Sequence, residues 1–162
     1  MKFISIATGV ISTIALASPA GAQLLNHKDL SLATALTIAT TASETCKGQG
    51  YRVTVAVVGR TGEIIVHLRG DDASPHTLEN SLRKAYTART FRTSSAEFGQ
   101  RVKENPTSGA LWITNISGSA GALPIKIGED VIGAVGVSGA PGGDKDETYA
   151  KAGLDKVTNQ LK

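Results

Sequence analysis

Three histidines and one cysteine are the side chains of this chain best suited to holding a metal or a cofactor. His76 stands in "DDASPHTLENSLRKAYTA", immediately after a Ser-Pro step and at the head of a helix-compatible run. With Ser74 as N-cap and Pro75 in the first helical position, where its missing N–H costs nothing, His76 takes the second. The positive end of the helix dipole disfavours imidazolium there and keeps the ring available to a metal, although Glu79, one turn on, pushes the opposite way. Asn80, Arg83 and Thr87 follow at i+4, i+7 and i+11, a polar stripe beside Leu78, with Lys84 next to Arg83. The same pattern describes a solvated helix face with an incidental histidine, and the helix alone does not choose.

The remaining candidates are weaker. His67, in "EIIVHLRG", shares a strand face with Ile65 and Arg69 and is the second choice as a ligand. His27 precedes the first helix and suits a ligand only if offered to a neighbouring subunit. No His-x-x-x-His or Cys-x-x-Cys pair supports a zinc site. Ser138 in "GVSG" lacks the G-x-S-x-G elbow of a nucleophile. The glycine-rich "SGAPGGDKDE" either offers backbone amides to an anion or is a loop closed by Asp144 as N-cap. Asp71 and Asp72 are neighbours on an extended chain, so their carboxylates point apart and form a poor acid–base pair.

The elements that must position these residues are legible in the pattern. "DLSLATALTIATTASETCKGQG" reads as an amphipathic helix with Leu32, Leu36, Ala39 and Ser43 on one face and Ala35 and Ala42 alongside, capped by Asp29 or Ser31 and stopped by Gly48 and Gly50. "YRVTVAVVG" and "EIIVHLRG" form a hairpin turned by Gly59 and Gly62. The helix opened by Ser74-Pro75 carries Leu78, Leu82 and Ala85 as its apolar stripe. A short helix over "TSSAEFGQRVKE" has Ser94 or Ser95 as cap, "ALWITNI" is expected as a strand, and "PIKIGEDVIGAVGVSG" is a second hairpin. A last helix runs from about Asp144, with Ala150, Leu154, Val157 and Leu161 on one face. The result is an α/β domain with a mostly antiparallel sheet of about five strands. Strands as apolar as "VTVAVV" imply that both sheet faces are covered.

Residues 1–22, with Lys2, an apolar run from Phe3 to Ala17 and the small pair Ala20 and Ala22, have the layout of a signal peptide. The run is shorter than the roughly 20 residues of a membrane span. Cleavage would leave residues 23–162 as one exported domain, periplasmic or secreted, with no membrane span. Without Lys2 its formal charge falls from +3 to +2, too mild a surplus for a nucleic-acid face. Cys46, the one cysteine, has no partner for an internal disulfide and is expected as a small buried thiol. With one Trp, three Tyr and three Phe, the core must be aliphatic and alanine-rich.

Three stretches, "VTVAVVGRTGEIIVHLRGDD", "RKAYTARTF" and "GALPIKIGEDVIGAVGVSG" with Asp144 and "AKAGLDKV", resemble the GlcG/HbpS-like family, related to the C-terminal domain of PduO. The resemblance spans nearly all of residues 23–162. It departs where the family usually has aspartate at Gly59 and glycine at Ala122. It implies a profilin-like α/β/α domain, haem as cofactor and a homo-oligomer. His76 would then supply an axial bond to iron, with Asn80 beside it and Arg83 or Lys84 pairing with a propionate. The low aromatic content implies a partly exposed haem suited to capture, sensing or transfer. Two other readings stand beside it: a binding or assembly module for a small organic acid or metal ion, and a haem-degrading enzyme. Enzymatic activity does not follow from the resemblance.

Overall fold

The computed structural model describes residues 23–162; the signal-peptide expectation lies outside the described residues. The elements run α1 (Leu32–Lys47), β1 (Thr54–Val58), β2 (Ile64–Arg69), α2 (His76–Phe91), α3 (Ser95–Glu104), β3 (Ala122–Ile127), β4 (Asp130–Ser138) and α4 (Gly143–Val157). The four strands form one antiparallel sheet in the order β2-β1-β4-β3. Helices α1 and α4 cover one face and α2 the other, the α/β/α layering that the resemblance implies. No helix of the described residues is long and apolar enough to cross a membrane.

Period-two alternation sorts the sheet residues between the two sides. Val55 and Val57 of β1, with Val135 and Val137 of β4, join Ile38, Tyr149, Ala150 and Val157 under α1 and α4. Ala56, Val58 and Ala134 meet Ala85 and Ala88 of α2. Gly136 is the reason α2 can sit so low. A Cβ there would run into the Ser81 carbonyl oxygen and stand 2.7 Å from the Ala85 nitrogen. The helix backbone therefore rests directly on the strand.

That close seat turns α2 differently from the expected stripe. The buried residues are Thr77, Ser81, Lys84, Ala85, Thr87 and Ala88, whereas Leu78 is exposed and Leu82 only partly covered. Large leucines do not fit against a glycine-alanine surface, and small or hydrogen-bonded side chains do. Thr77 donates to the Ser74 carbonyl, so the buried hydroxyl pair at 2.7 Å is completed by Thr54 donating to Thr77. Helix α1 is rotated in the same sense. Ala35, Ile38, Ala39, Ala42 and Cys46 face inward, while Leu32 and Leu36 face out.

Ser31 and Ser94 cap α1 and α3 through their hydroxyls, as expected. Ser74 does not cap α2. Pro75 holds the cap position in helical conformation, Ser74 contributes only its carbonyl, and His76 is the first helical residue instead of the second. Asp144 likewise lies inside the first turn of α4, with Gly142 at the cap. The sheet has four strands, not about five, because "ALWITNI" does not extend. Left-handed Gly109 and Asn115 bracket it, and successive turns place the Trp112 amide on Gly109 and the Ile116 amide on Ile113. Leu111, Trp112 and Ile113 face outward and Ile116 turns in. At the β1–β2 turn the Glu63 carboxylate occupies the space a side chain at Gly59 would need, accepting from the Thr61 amide and hydroxyl. It thereby does locally what an aspartate at position 59 would do.

Candidate functional site

The end of β4, the start of α2 and the start of α4 enclose a pocket of about 500 Å³. Its lining includes His76, Asn80 and Lys84 from α2, Ser138 from β4, and Gly143 and Asp146 from α4. Three of the four residues singled out on α2 thus converge; Arg83 does not. Its guanidinium turns away to Glu79 at 3.1 Å and to the Ile116 carbonyl at 2.8 Å, bracing α2 against the loop before β3.

His76 is exposed at the pocket mouth, and its imidazole has no hydrogen-bond partner among the described residues. Asn80 donates to the Ser138 hydroxyl at 2.9 Å, tying α2 to the end of β4. Lys84 stands deepest, 2% exposed. Its ammonium donates to Asp146 at 2.8 Å and to the Val137 carbonyl at 3.1 Å. The other Asp146 oxygen accepts the Ala140 amide at 2.9 Å, so one carboxylate fastens both the buried cation and the glycine-rich turn. Burial holds the Asp146 carboxyl above its ordinary value, while Lys84 and the Ala140 amide pull it back down. Lys84 is committed inside the protein rather than offered to a ligand. The sequence hides this pair, because its partners lie 62 positions apart on different helices.

Gly121 completes the arrangement. It sits at φ +127, and a Cβ there would stand 2.7 Å from the Asp146 Cβ and 2.8 Å from the Lys84 ammonium. Only glycine lets β3 begin this close to the ion pair. Two helix N-termini, α2 and α4, open on the pocket and leave backbone N–H groups without intrahelical partners. Its walls are otherwise small and polar, with Ala120 and Ala140 the apolar members.

The other candidates are dispersed. His67 meets the Ser81 hydroxyl at 3.2 Å, and Ser81 donates its one proton to the Leu78 carbonyl. His67 Nε2 therefore donates and is not a free ligand nitrogen. His27 is exposed ahead of α1. Asp71 and Asp72 are exposed, with Asp72 3.9 Å from Arg52. Cys46 is buried as expected, its thiol pushed up to about 11, chiefly by burial. Among the described residues no three His, Cys, Asp or Glu side chains converge to hold a metal ion.

The chain is similar to known proteins in sequence and in fold. An uncharacterized 15.0 kDa protein of the dhaT-dhaS intergenic region of Citrobacter freundii is 36% identical over 106 residues, 64% of this chain and 74% of that one. The crystal structure of a double mutant of Streptomyces reticuli HbpS superposes with a TM-score of 0.79 at 35% identity, covering 86% of this chain and 97% of that one. A crystal structure of a PduOC–haem complex shares the fold, with a TM-score of 0.73 at 21% identity over 80% of this chain and 95% of that one. The family model described as "Haem degrading protein HbpS-like" matches residues 30–155, nearly all of the α/β/α domain, and the chain belongs to the HbpS-like family.

Proposed function

We propose that this chain is a haem-binding protein that takes haem at the mouth of the α2–α4 pocket, with His76 as an axial ligand. The observation that carries the proposal is an exposed imidazole with no internal partner, on the rim of the pocket, in a family described by haem chemistry. The haem-bound PduOC structure of the same fold adds support.

The residues fit two of haem's three requirements. A neutral imidazole suits iron, and the helix N-termini around Gly143 and His76 suit a propionate in place of the committed Lys84. Arg83 would serve a propionate only by leaving Glu79 and Ile116. The third requirement, apolar cover, is thin on the pocket wall. No large apolar side chain lines the pocket, so that cover falls to a second copy of the chain. Bound there, haem would supply redox and ligand-exchange chemistry; His76 would hold it and Asn80 would keep the floor of the site in place. A partly covered site of this kind suits capture, sensing or transfer in a periplasmic or secreted protein, the compartment indicated by residues 1–22.

Haemin titration of the purified protein tests the reading. The expected result is a sharpened Soret band that weakens in His76→Ala, and an unchanged spectrum in that variant overturns His76 as ligand. The polar lining favours one second reading, a small organic acid held by the same helix ends. In that case a carboxylate would protect the protein thermally while haemin would bind no better than to an unrelated protein. Product analysis after adding peroxide or reductant to the haemin-loaded protein tests haem degradation.

A further inference from the structure

A second cavity, of about 440 Å³, opens between the C-terminal half of α1, the approach to β1 and the end of β2. Its size falls within the roughly 300–1,000 Å³ of small-molecule sites, and it shares no lining residue with the α2–α4 pocket. Val53, 2% exposed, and Leu68 give it an apolar floor, with Tyr51 beside them. That floor is held from two sides. The Gly70 amide donates to the Val53 carbonyl at 2.9 Å, which ties the end of β2 to the start of β1. Lys145 donates to the Tyr51 hydroxyl at 3.1 Å, with its ammonium 4.9 Å from the ring centroid.

The mouth carries charges of both signs, some engaged and some free. Arg69 donates Nε and a terminal nitrogen to the Ala73 carbonyl, and Arg52 lies 3.9 Å from Asp72. Glu44, Lys47 and Asp71 line the cavity, are exposed, and make no side-chain hydrogen bond or ion pair among the described residues. Glu44 and Lys47 stand at i and i+3 on α1, neighbours on the helix surface with roughly 5–6 Å between Cβ atoms. A carboxylate and an ammonium thus flank one apolar surface without pairing. Simpler guests meet an obstacle here. An anion lacking a cationic end would face Glu44 and Asp71, and a cation lacking an anionic end would face Lys47 and Arg52. A wholly apolar guest would strip water from free charges and return no partner.

We propose that this cavity binds a free α-amino acid with an aliphatic side chain. Lys47 takes the carboxylate, Glu44 the ammonium, and Val53 and Leu68 the side chain. The two charges of such a molecule are separated by a single carbon, a spacing suited to partners one helical turn apart, and both contacts are charge-assisted. His76 plays no part, so the inference is independent of the haem reading.

Saturation-transfer difference NMR of L-leucine with the purified protein is the test. Saturable binding is expected, with the strongest transfer to the methyl groups. Leucinamide, which lacks the carboxylate, and N-acetylleucine, which lacks the ammonium, should each bind roughly tenfold more weakly, the scale of one charge-assisted contact. Lys47→Gln should weaken leucine about as much without weakening leucinamide further. Glu44→Gln should do the same to leucine without weakening N-acetylleucine further. Both positions are exposed, so far-UV circular dichroism should not change. His76→Ala should bind leucine as the wild type does. No saturable transfer from leucine, or equal binding of all three compounds, overturns the proposal. Variants that weaken all three compounds alike, or loss of leucine binding in His76→Ala, overturn it as well.

Discussion

The two faces of the sheet are built on opposite principles. Under α1 and α4 the contact is made by volume, with valines of β1 and β4 filling the space around Ile38 and Tyr149. Under α2 it is made by proximity, with alanines, a glycine and a hydroxyl pair drawing the helix backbone onto the strands. A volume-packed face yields by degrees when side chains are trimmed, because neighbours relax into part of the gap. A backbone-seated face has no side chain to give way, so added atoms cost more there than removed ones. The pocket lies where the two sides meet, between the starts of α2 and α4 at the end of β4, and its frame is made of glycines and hydrogen bonds.

Substitutions can break or sharpen this contrast. The largest effect is expected from splitting the Lys84–Asp146 pair. Asp146→Asn leaves a buried ammonium without its counter-charge and should cost about 3–5 kcal/mol in urea unfolding. The double variant Lys84→Met/Asp146→Leu should recover most of that loss, and a double variant as unstable as the single one would contradict a charge-based cause. Gly136→Ala, one methyl added beneath α2, should cost about 3 kcal/mol, at the upper end for overpacking because the obstacle is helix backbone. Ile38→Val, one methyl removed on the other face, should cost only about 0.5–1.5 kcal/mol. If these two come out equal, the distinction between the faces fails.

A smaller effect concerns pH. The folded Asp146 carboxyl lies above its unfolded value, so the native chain takes up the proton more readily. The associated stability is complete below the unfolded value and is lost as pH rises through the folded one. Removing the Lys84 ammonium in Lys84→Met removes a downward pull, so the carboxyl should titrate higher still, as read from the Asp146 carboxyl carbon by NMR. The smallest change is chemical. With its thiol at about 11, Cys46 is roughly a thousandth ionised at pH 8 and should react with a disulfide reagent at least about a hundredfold slower than free cysteine. A fast reaction in the native protein would show that α1 opens readily from the sheet.

Local signals in the sequence carried far, and signals between distant elements did not. The caps at Ser31 and Ser94, the glycine turns at Gly59 and Gly62 and the burial of Cys46 follow from residues near each other in the chain. The inward face of α2 could not be read the same way, because it is dictated by Gly136 across the sheet and favours Ser81 and Lys84 over Leu78. "ALWITNI" has strand-like composition, but left-handed Gly109 and Asn115 and the turns between them curl it, and composition alone cannot register that. At the site, His76 and Asn80 line the pocket between α2 and α4. Lys84 arrives there too, but beneath it, since its partner belongs to another helix. A glycine-rich turn followed by two aspartates was visible; which aspartate reaches inward was not, because that depends on where α4 begins.

The anchoring of that turn has a consequence for how the pocket can vary. Asp146 grips the amide of Ala140 from the protein interior, so the rim keeps its shape without help from anything that faces the guest. Positions such as His76 and Ser119 can then be exchanged without loosening their support. A lineage could alter the chemistry of the rim by changing its outward-facing residues while leaving the hidden clasp untouched.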